Sequence, residues 1–562
     1  MKHLRRSIFL MVFVLAITPS LAFGQTVYNT GTQGCCDILD PHYTLVAAPA
    51  GVPLGSVYST TTCCNWHNYW ITPLAGSTWV NPTGNASWQA PYGNYTYRQT
   101  FTLTSTAGAL LLGEWSSDNQ SCVTLNGGSS QCTLGGDWSW DQYTEFEFTD
   151  GFQVGTNALD IVVYNAGGPT GLLVEISGAA TEKKLHNFGS GMDGKTPYAS
   201  LVWDAAGNLY GTTSLGGVHG AGTVFEMAPN QSGGWTEKVL HNFGDGMDGQ
   251  QPYGVLIWDA DGNLYGTTEA GGVYSKGTVF ELSPNGSGGW TEKVLHNFGL
   301  YTGDGTSPNG GLVWDGSGNL YGTTVAGGHY DAGTVFKLRP DGSGGWIEHT
   351  LHNFGSGMDG QSPKAGLVRQ IGGTFYGTTS AGGAYGKGTV FEITPKEGGG
   401  WIETILHNFG LYPTDGVEPV AGLILDAAGN LYGTTNSGGA DGVGTVFQLK
   451  PGQSGAWTEM VLHNFGAAMD GRNPKASLVL DAAGDLYGTT YAGGVYGKGT
   501  VFMVIPSQTG NWTELTRHNF GLYSGDGIEP CGSLLFDSSG NLYGTTVSGA
   551  NFNGGTVFEL MP

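Results

Sequence analysis

From residue 181 onward the chain alternates short apolar runs with clusters of Gly, Asn, Asp and Pro, and no apolar stripe recurs at helical spacing. The stretch from Pro252 to Phe298 is typical: "VLIWD", "LYGTT", "GTVFEL" and "WTEKVLHNF" are rich in β-branched and aromatic residues, and each is closed by turn chemistry. Each run therefore predicts one strand. The unit recurs: the "HNF" histidines stand at His186, His241, His296, His352, His407, His463 and His518, in steps of 55 or 56 residues. Four antiparallel strands per unit, repeated seven times, predict an all-β fold, a seven-bladed β-propeller with four-stranded blades.

A stacked solenoid uses similar periods but has to be capped. Here the first repeated element, "TEKKLHNF" at Thr181 to Phe188, is a lone fourth strand, and the last, "GTVFELMP", is a third strand with no fourth after it. The two fragments complete one blade, so Thr181 to Phe188 is expected to pair with Gly555 to Leu560 and close the ring. Tyr210 and its equivalents Tyr265, Tyr321, Tyr376, Tyr432, Tyr487 and Tyr543 are expected to fill the wedge between neighbouring blades. The histidines recur a blade apart, too far to converge on one ion, and read as structural hydrogen-bonding groups.

Residues 25–180 carry a different pattern. Period-two alternation in "YTYRQTFTLT", "GALLLGEW", "CVTLNG", "TEFEFT" and "ALDIVVYN" predicts a β-sandwich of jelly-roll type. Ahead of it, Lys2, Arg5 and Arg6 precede a short apolar run that ends at small residues, the pattern of a cleaved signal peptide. The organisation expected is a signal at 1–24, a sandwich at 25–180 and a propeller at 181–562. The mature protein is expected to be secreted, extracellular or periplasmic, with no membrane insertion after cleavage.

Cysteine usage fits export: six of the seven lie before residue 133. Cys122 and Cys132 are expected to pair across a Gly-Gly-Ser turn, and Cys35/Cys36 with Cys63/Cys64. Cys531 is left over as a buried thiol. With 21 Lys+Arg against 45 Asp+Glu and a net charge of −24, nucleic acid and anionic membrane are poor partners.

The loops from fourth to next first strand and from second to third share one face of a propeller. That face carries the "DG" turns of Asp193, Asp248, Asp304, Asp359, Asp415, Asp470 and Asp526, expected to ring the central opening. Two readings stand for them: tight turns alone, or a ring of carboxylates that holds a cation, for which Ca²⁺ is the candidate. The sequence shows no nucleophile elbow, phosphate loop or dinucleotide fingerprint. Just before each innermost strand the residue after Pro varies, as Tyr198, Tyr253, Asn309, Lys364, Val420, Lys475 and Cys531. Variation at one position of a repeated scaffold is where an asymmetric ligand would be read, which makes Tyr198, Tyr253, Lys364 and Lys475 binding candidates. In the amino-terminal region Trp66, Trp70, Trp138 and Trp140, with Asp118 and Asn119, offer aromatic faces and polar groups suited to a sugar. Coverage of the sandwich ends is the other reading.

The units "DAAGNLYGTTSLGGVHGAGTVFEM" and their sisters resemble the GloVer tandem repeat of exported bacterial proteins over residues 181–562, which implies a propeller-like fold and no particular reaction. The stretches "GEWSSDNQSCVTLNG" and "GTNALDIVVYNAGGPTGLLVEISG" resemble galactose-binding-like sandwiches. The "PDGSGGWIE" turn resembles the Asp-box of sialidase-type propellers, but only Asp341 keeps its acid, and Arg339, Arg369, Arg472 and Arg517 are scattered rather than clustered. The function expected is a non-catalytic binding protein for extracellular glycan or a protein partner. The alternatives are a carbohydrate-active hydrolase or lyase at the propeller mouth and a structural envelope or matrix component.

Overall fold

The computed structural model describes residues 38–47, 55–60, 79–81, 93–103, 111–117, 120–132, 144–148, 151–153, 155–165 and 172–177, and 181–561 except 231–232, 453–454, 467–469, 507–511 and 522–524. The signal segment, Cys35, Cys36, Cys63 and Cys64, and the candidates Trp66, Trp70, Asp118, Asn119, Trp138 and Trp140 lie outside the described residues. Contacts divide the chain into two units, 1–181 and 182–561.

In the first unit ten strands share one hydrogen-bonded sheet among the described residues. Gly93–Leu103 pairs antiparallel with Gly155–Asn165 along its whole length, and Gln120–Leu125 pairs on the other side of Gly155–Asn165. Side chains alternate as period two requires: Tyr95, Tyr97, Leu159, Ile161 and Val163 are buried, with Val123 and Leu125 beside them. Arg98 and Asp160 face each other across the strand pair and meet through two hydrogen bonds of 2.5 and 2.6 Å. A disulfide joins Cys122 to Cys132, which are directly opposed in their hairpin.

The second unit is built from the repeat. In the first complete copy the strands are Val202–Trp203, Leu209–Thr213, Thr223–Pro229 and Trp235–Asn242, paired antiparallel in that order. Six such four-stranded sheets follow one another among the described residues. A further sheet pairs Thr181–Asn187 with Thr556–Met561, so the start of the repeat region supplies the outer strand to its last copy.

The "YGTT" run explains how neighbouring sheets hold together. Tyr210 packs edge-on to Trp258 of the next repeat at 4.8 Å between ring centroids, and Tyr543 of the last repeat packs in the same way on Trp203 of the first at 5.0 Å. The glycine is required because a Cβ at Gly211 would stand 2.6 Å from the Phe225 ring. The first threonine reaches the next repeat: Thr267 donates to the Gly310 carbonyl at 3.0 Å and Thr378 to Ala421 at 2.9 Å, while Thr545 reaches Ala199 at 3.2 Å. The second threonine stays in its sheet, where Thr213 and Thr223 share a 2.8 Å hydroxyl pair. The "HNF" phenylalanines are fully buried, and each packs on a third-strand phenylalanine of the next sheet, from Phe188 on Phe225 to Phe520 on Phe558. Contacts thus run from each sheet to the next and from the last back to the first.

Candidate functional site

The segment entering each first strand decides where the variable residues go. In all seven copies the residue before Pro holds a left-handed backbone without being glycine: Thr196, Gln251, Ser307, Ser362, Glu418, Asn473 and Glu529 have φ between 55° and 63°. That conformation is disfavoured for such residues and persists where surrounding contacts enforce it. The enforcing contacts are visible. Gln251 donates its N–H to the Ala221 carbonyl of the preceding repeat at 2.8 Å and accepts from the Glu269 N–H of its own second strand at 3.0 Å, and the same two bonds recur around the unit.

The three residues after each of these prolines then line one cavity of about 830 Å³. Its wall contains all seven variable positions, Tyr198, Tyr253, Asn309, Lys364, Val420, Lys475 and Cys531, each followed by small residues that let the segments approach. Gly310 shows how close they come, since a Cβ there would stand 2.3 Å from the Gly366 nitrogen. The candidates Tyr198, Tyr253, Lys364 and Lys475 are therefore brought together.

The wall is asymmetric. Tyr198 and Tyr253 are neighbours in edge-to-face contact at 5.1 Å, and burial pushes the Tyr198 hydroxyl up to about 12, which keeps it a neutral donor. Lys475 lies over the Tyr491 ring, 3.4 Å from its centroid. The charge of Lys364 works against the burial that raises the Glu269 carboxyl. Burial pushes the Cys531 thiol up to about 12, so it stands there as a neutral group rather than a nucleophile. Glu418 is the single carboxylate among the lining residues. The wall therefore offers aromatic faces, ammonium groups and many backbone and hydroxyl groups.

The seven "DG" aspartates are not among the residues that line this cavity. Each is held by its own repeat. Asp193 Oδ2 accepts from His186 Nε2 at 3.0 Å and from the Gly189 N–H at 3.2 Å, and its Oδ1 accepts from the Gly194 N–H at 2.7 Å. The same set recurs at Asp248, Asp359 and Asp470, while Asp304, Asp415 and Asp526 take backbone N–H groups after a longer loop. These hydrogen bonds commit the carboxylates to groups of their own repeat. The histidines have the structural hydrogen bonds expected of them in four copies.

A partner of this pair was missed in the sequence. Glu237, two residues after Trp235 and on the same strand parity, comes from the next sheet to stand with His186 and Asp193, their ligand atoms within 4.8 Å of one another. Burial is the main reason that Glu237, Glu292, Glu403 and Glu459 are pushed up to about 7, and the aspartate across the crevice adds to it. The signal was an acid two residues after Trp in six copies, with Glu182 in the equivalent place after Ala180.

The comparisons with known proteins agree with the repeat. The model of the Gloeobacter/Verrucomicrobia repeat matches residues 161–315, 287–456 and 370–562. No curated protein matches the chain. Among solved structures, a protein of unknown function from Dyadobacter fermentans is similar at 11% identity and a TM-score of 0.34, covering 67% of this chain and 99% of its own. A polysaccharide lyase, an ulvan lyase, is similar at 12% identity and a TM-score of 0.39, with 66% of this chain and 94% of that one covered. The extracellular domains of Drosophila semaphorin 1a match at 11% and 0.39, with coverage of 67% and 88%. With the family match spanning both the repeated strands and the segments that build the cavity, this chain belongs to the Gloeobacter/Verrucomicrobia repeat family.

Proposed function

We propose that the chain is a secreted, non-catalytic binding protein, a β-sandwich followed by a seven-bladed propeller, and that its central cavity holds an extracellular glycan bearing acidic groups. One observation carries this reading: the residue that follows each proline, which changes between aromatic, amide, basic, aliphatic and thiol side chains from copy to copy, lies on the wall of one cavity in all seven copies. A scaffold that only had to be stable would keep those positions alike, as it keeps its Tyr, Thr and Phe alike. Tyr198 and Tyr253 offer faces on which sugar rings stack, and Lys364 and Lys475 place positive charge in a chain whose net charge is −24. Both features suit a carboxylated or sulfated sugar.

The experiment is a glycan array with the full chain, followed by titration of the best ligand against the parent and Lys364→Ala/Lys475→Ala. Binding of acidic glycans that falls at least tenfold in the double variant supports the reading. Binding unchanged by the substitutions removes the cavity as the site. Release of unsaturated or reducing ends from the bound polysaccharide would replace a binding protein with a lyase or hydrolase at the same mouth. Recognition of a protein alone, with silence on every glycan, would replace the ligand class.

A further inference from the structure

The His–Asp–Glu crevices between neighbouring sheets are not equivalent, and the difference follows from loop length. Where His and Asp are seven residues apart, as in His186/Asp193, His241/Asp248, His352/Asp359 and His463/Asp470, imidazole and carboxylate are hydrogen-bonded at 2.9 to 3.0 Å. Where one more residue intervenes, the loop redirects the carboxylate. Asp415 Oδ2 accepts from the Gly410 and Leu411 N–H groups at 2.7 and 3.0 Å, and His407 Nε2 is left 3.7 Å away. The crevice then holds two polar atoms without hydrogen-bond partners that the short-loop crevices satisfy, His407 Nε2 and Oδ1 of Asp415, a residue only 4% exposed, beside Glu459 Oε1, which is unpartnered as are its equivalents in Glu237, Glu292 and Glu403. In the crevice formed by Glu182, His518 and Asp526, both ring nitrogens of His518 have no hydrogen-bond partner although the residue is only 3% exposed. Orphaned polar atoms at such depth cost free energy unless something occupies the space between them.

We propose that these two crevices, His407–Asp415–Glu459 and His518–Asp526–Glu182, are binding sites for a divalent transition-metal ion, with Zn²⁺ the ion they fit. One imidazole nitrogen and two carboxylate oxygens are a zinc donor set. Such ligands stand about 2.1 Å from the ion and therefore about 3.4 Å apart in a tetrahedron, and the atoms offered here lie within 4.8 Å of one another. A fourth position is open to water. Ca²⁺ takes six to eight oxygen ligands and has no preference for imidazole. The third long-loop crevice is already satisfied at its glutamate, because the Tyr301 hydroxyl donates to Glu348.

Each ion bridges two sheets. Glu459 belongs to the strand Trp457–Asn464, whereas His407 ends the strand Trp401–Asn408 of the preceding sheet. In the second site Glu182 comes from the first strand of the repeat region, which completes the last sheet, whereas His518 lies on the strand Trp512–Asn519 of the sheet before it and Asp526 on the loop that follows. The metal there clasps the two ends of the repeat region together, a structural role separate from any ligand in the central cavity.

The test uses the full chain, stripped with a chelator, re-equilibrated with Zn²⁺ and dialysed, with bound metal counted by mass spectrometry. Glu459→Gln/His518→Gln is expected to hold two zinc equivalents fewer than the parent. The control Glu403→Gln/His463→Gln, in short-loop crevices, is expected to keep the parental count. Zinc should raise the melting temperature of the parent and control and leave the long-loop variant unchanged. Equal zinc in all three proteins, or loss confined to the control, overturns the proposal. If the long-loop variant does not fold, Co²⁺ titration of the parent decides. Visible ligand-field absorption from two equivalents, without a thiolate charge-transfer band, supports the sites, and its absence overturns them.

Discussion

Phe188→Ala and Phe298→Ala delete the same side chain from the same place in two repeats, one where the repeat region begins and one inside it. Both rings are fully buried. Phe298 packs in a cluster with Tyr265, Val279, Leu320 and Phe336 of adjoining sheets, and Phe188 has the corresponding neighbours, with Leu209 and Phe225 on one side and Tyr543 and Val557 of the last repeat on the other. Because the surroundings match, the two cavities should cost the same, about 3 to 5 kcal/mol each for a buried Phe→Ala change. An open array would leave Phe188 without Tyr543 and Val557. Its ring would then be half solvated, and its deletion would cost about 1 kcal/mol, roughly half the transfer free energy of a fully buried side chain. The assay is equilibrium denaturation followed by tryptophan emission, with both variants compared with the parent at a common slope. Equal losses support closure of the sheets on themselves. A Phe188→Ala loss below about 1 kcal/mol beside a full Phe298→Ala loss refutes it.

Other perturbations test the local reasoning. Gly266→Ala would bring a Cβ to 2.6 Å from the Phe280 ring, and overpacking of this kind should lower stability by about 1 to 3 kcal/mol in a melting experiment. Thr267→Val keeps shape but removes the donor to the Gly310 carbonyl, and should cost about 1 to 3 kcal/mol by leaving a buried acceptor unpaired. Asp259 accepts hydrogen bonds from the Asp261 and Asn263 N–H groups, the Asn263 side chain and the Tyr265 hydroxyl. Although burial pushes its carboxyl up, these bonds hold it below the usual value. A carboxylate lowered in the folded state contributes stability above its unfolded pKa of about 3.9 and loses it as the pH falls through the folded value. Asp259→Asn should therefore destabilise by about 1 to 2 kcal/mol near neutrality, with the difference from the parent fading below about pH 4 in a pH series of melting curves.

Much of the repeat region was legible because its signals are local. Turn residues bracket each strand, "YGTT" and "HNF" mark positions that every sheet must fill alike, and the unmatched fragments at Thr181 and Gly555 pointed to the pairing observed between Thr181–Asn187 and Thr556–Met561. The residues after each proline were also legible as candidates, since departure from a repeat is visible without coordinates. The direction of a carboxylate was not. "Asp-Gly" announces a turn, but whether the carboxylate bonds the histidine, as Asp193 does with His186, or only backbone N–H groups, as Asp415 does, turns on one residue of loop length. Glu237 was hidden for a related reason. Its parity could be read, but the neighbour it meets belongs to another repeat, and only the packing of sheets brings them together.

The most direct test of the account is a crystal structure of the full chain with the acidic oligosaccharide that binds it best. The prediction is a sugar seated in the central cavity, stacked on Tyr198 or Tyr253, with its acidic group on Lys364 or Lys475. A well-ordered sugar on any other surface, with those four side chains untouched, would contradict it.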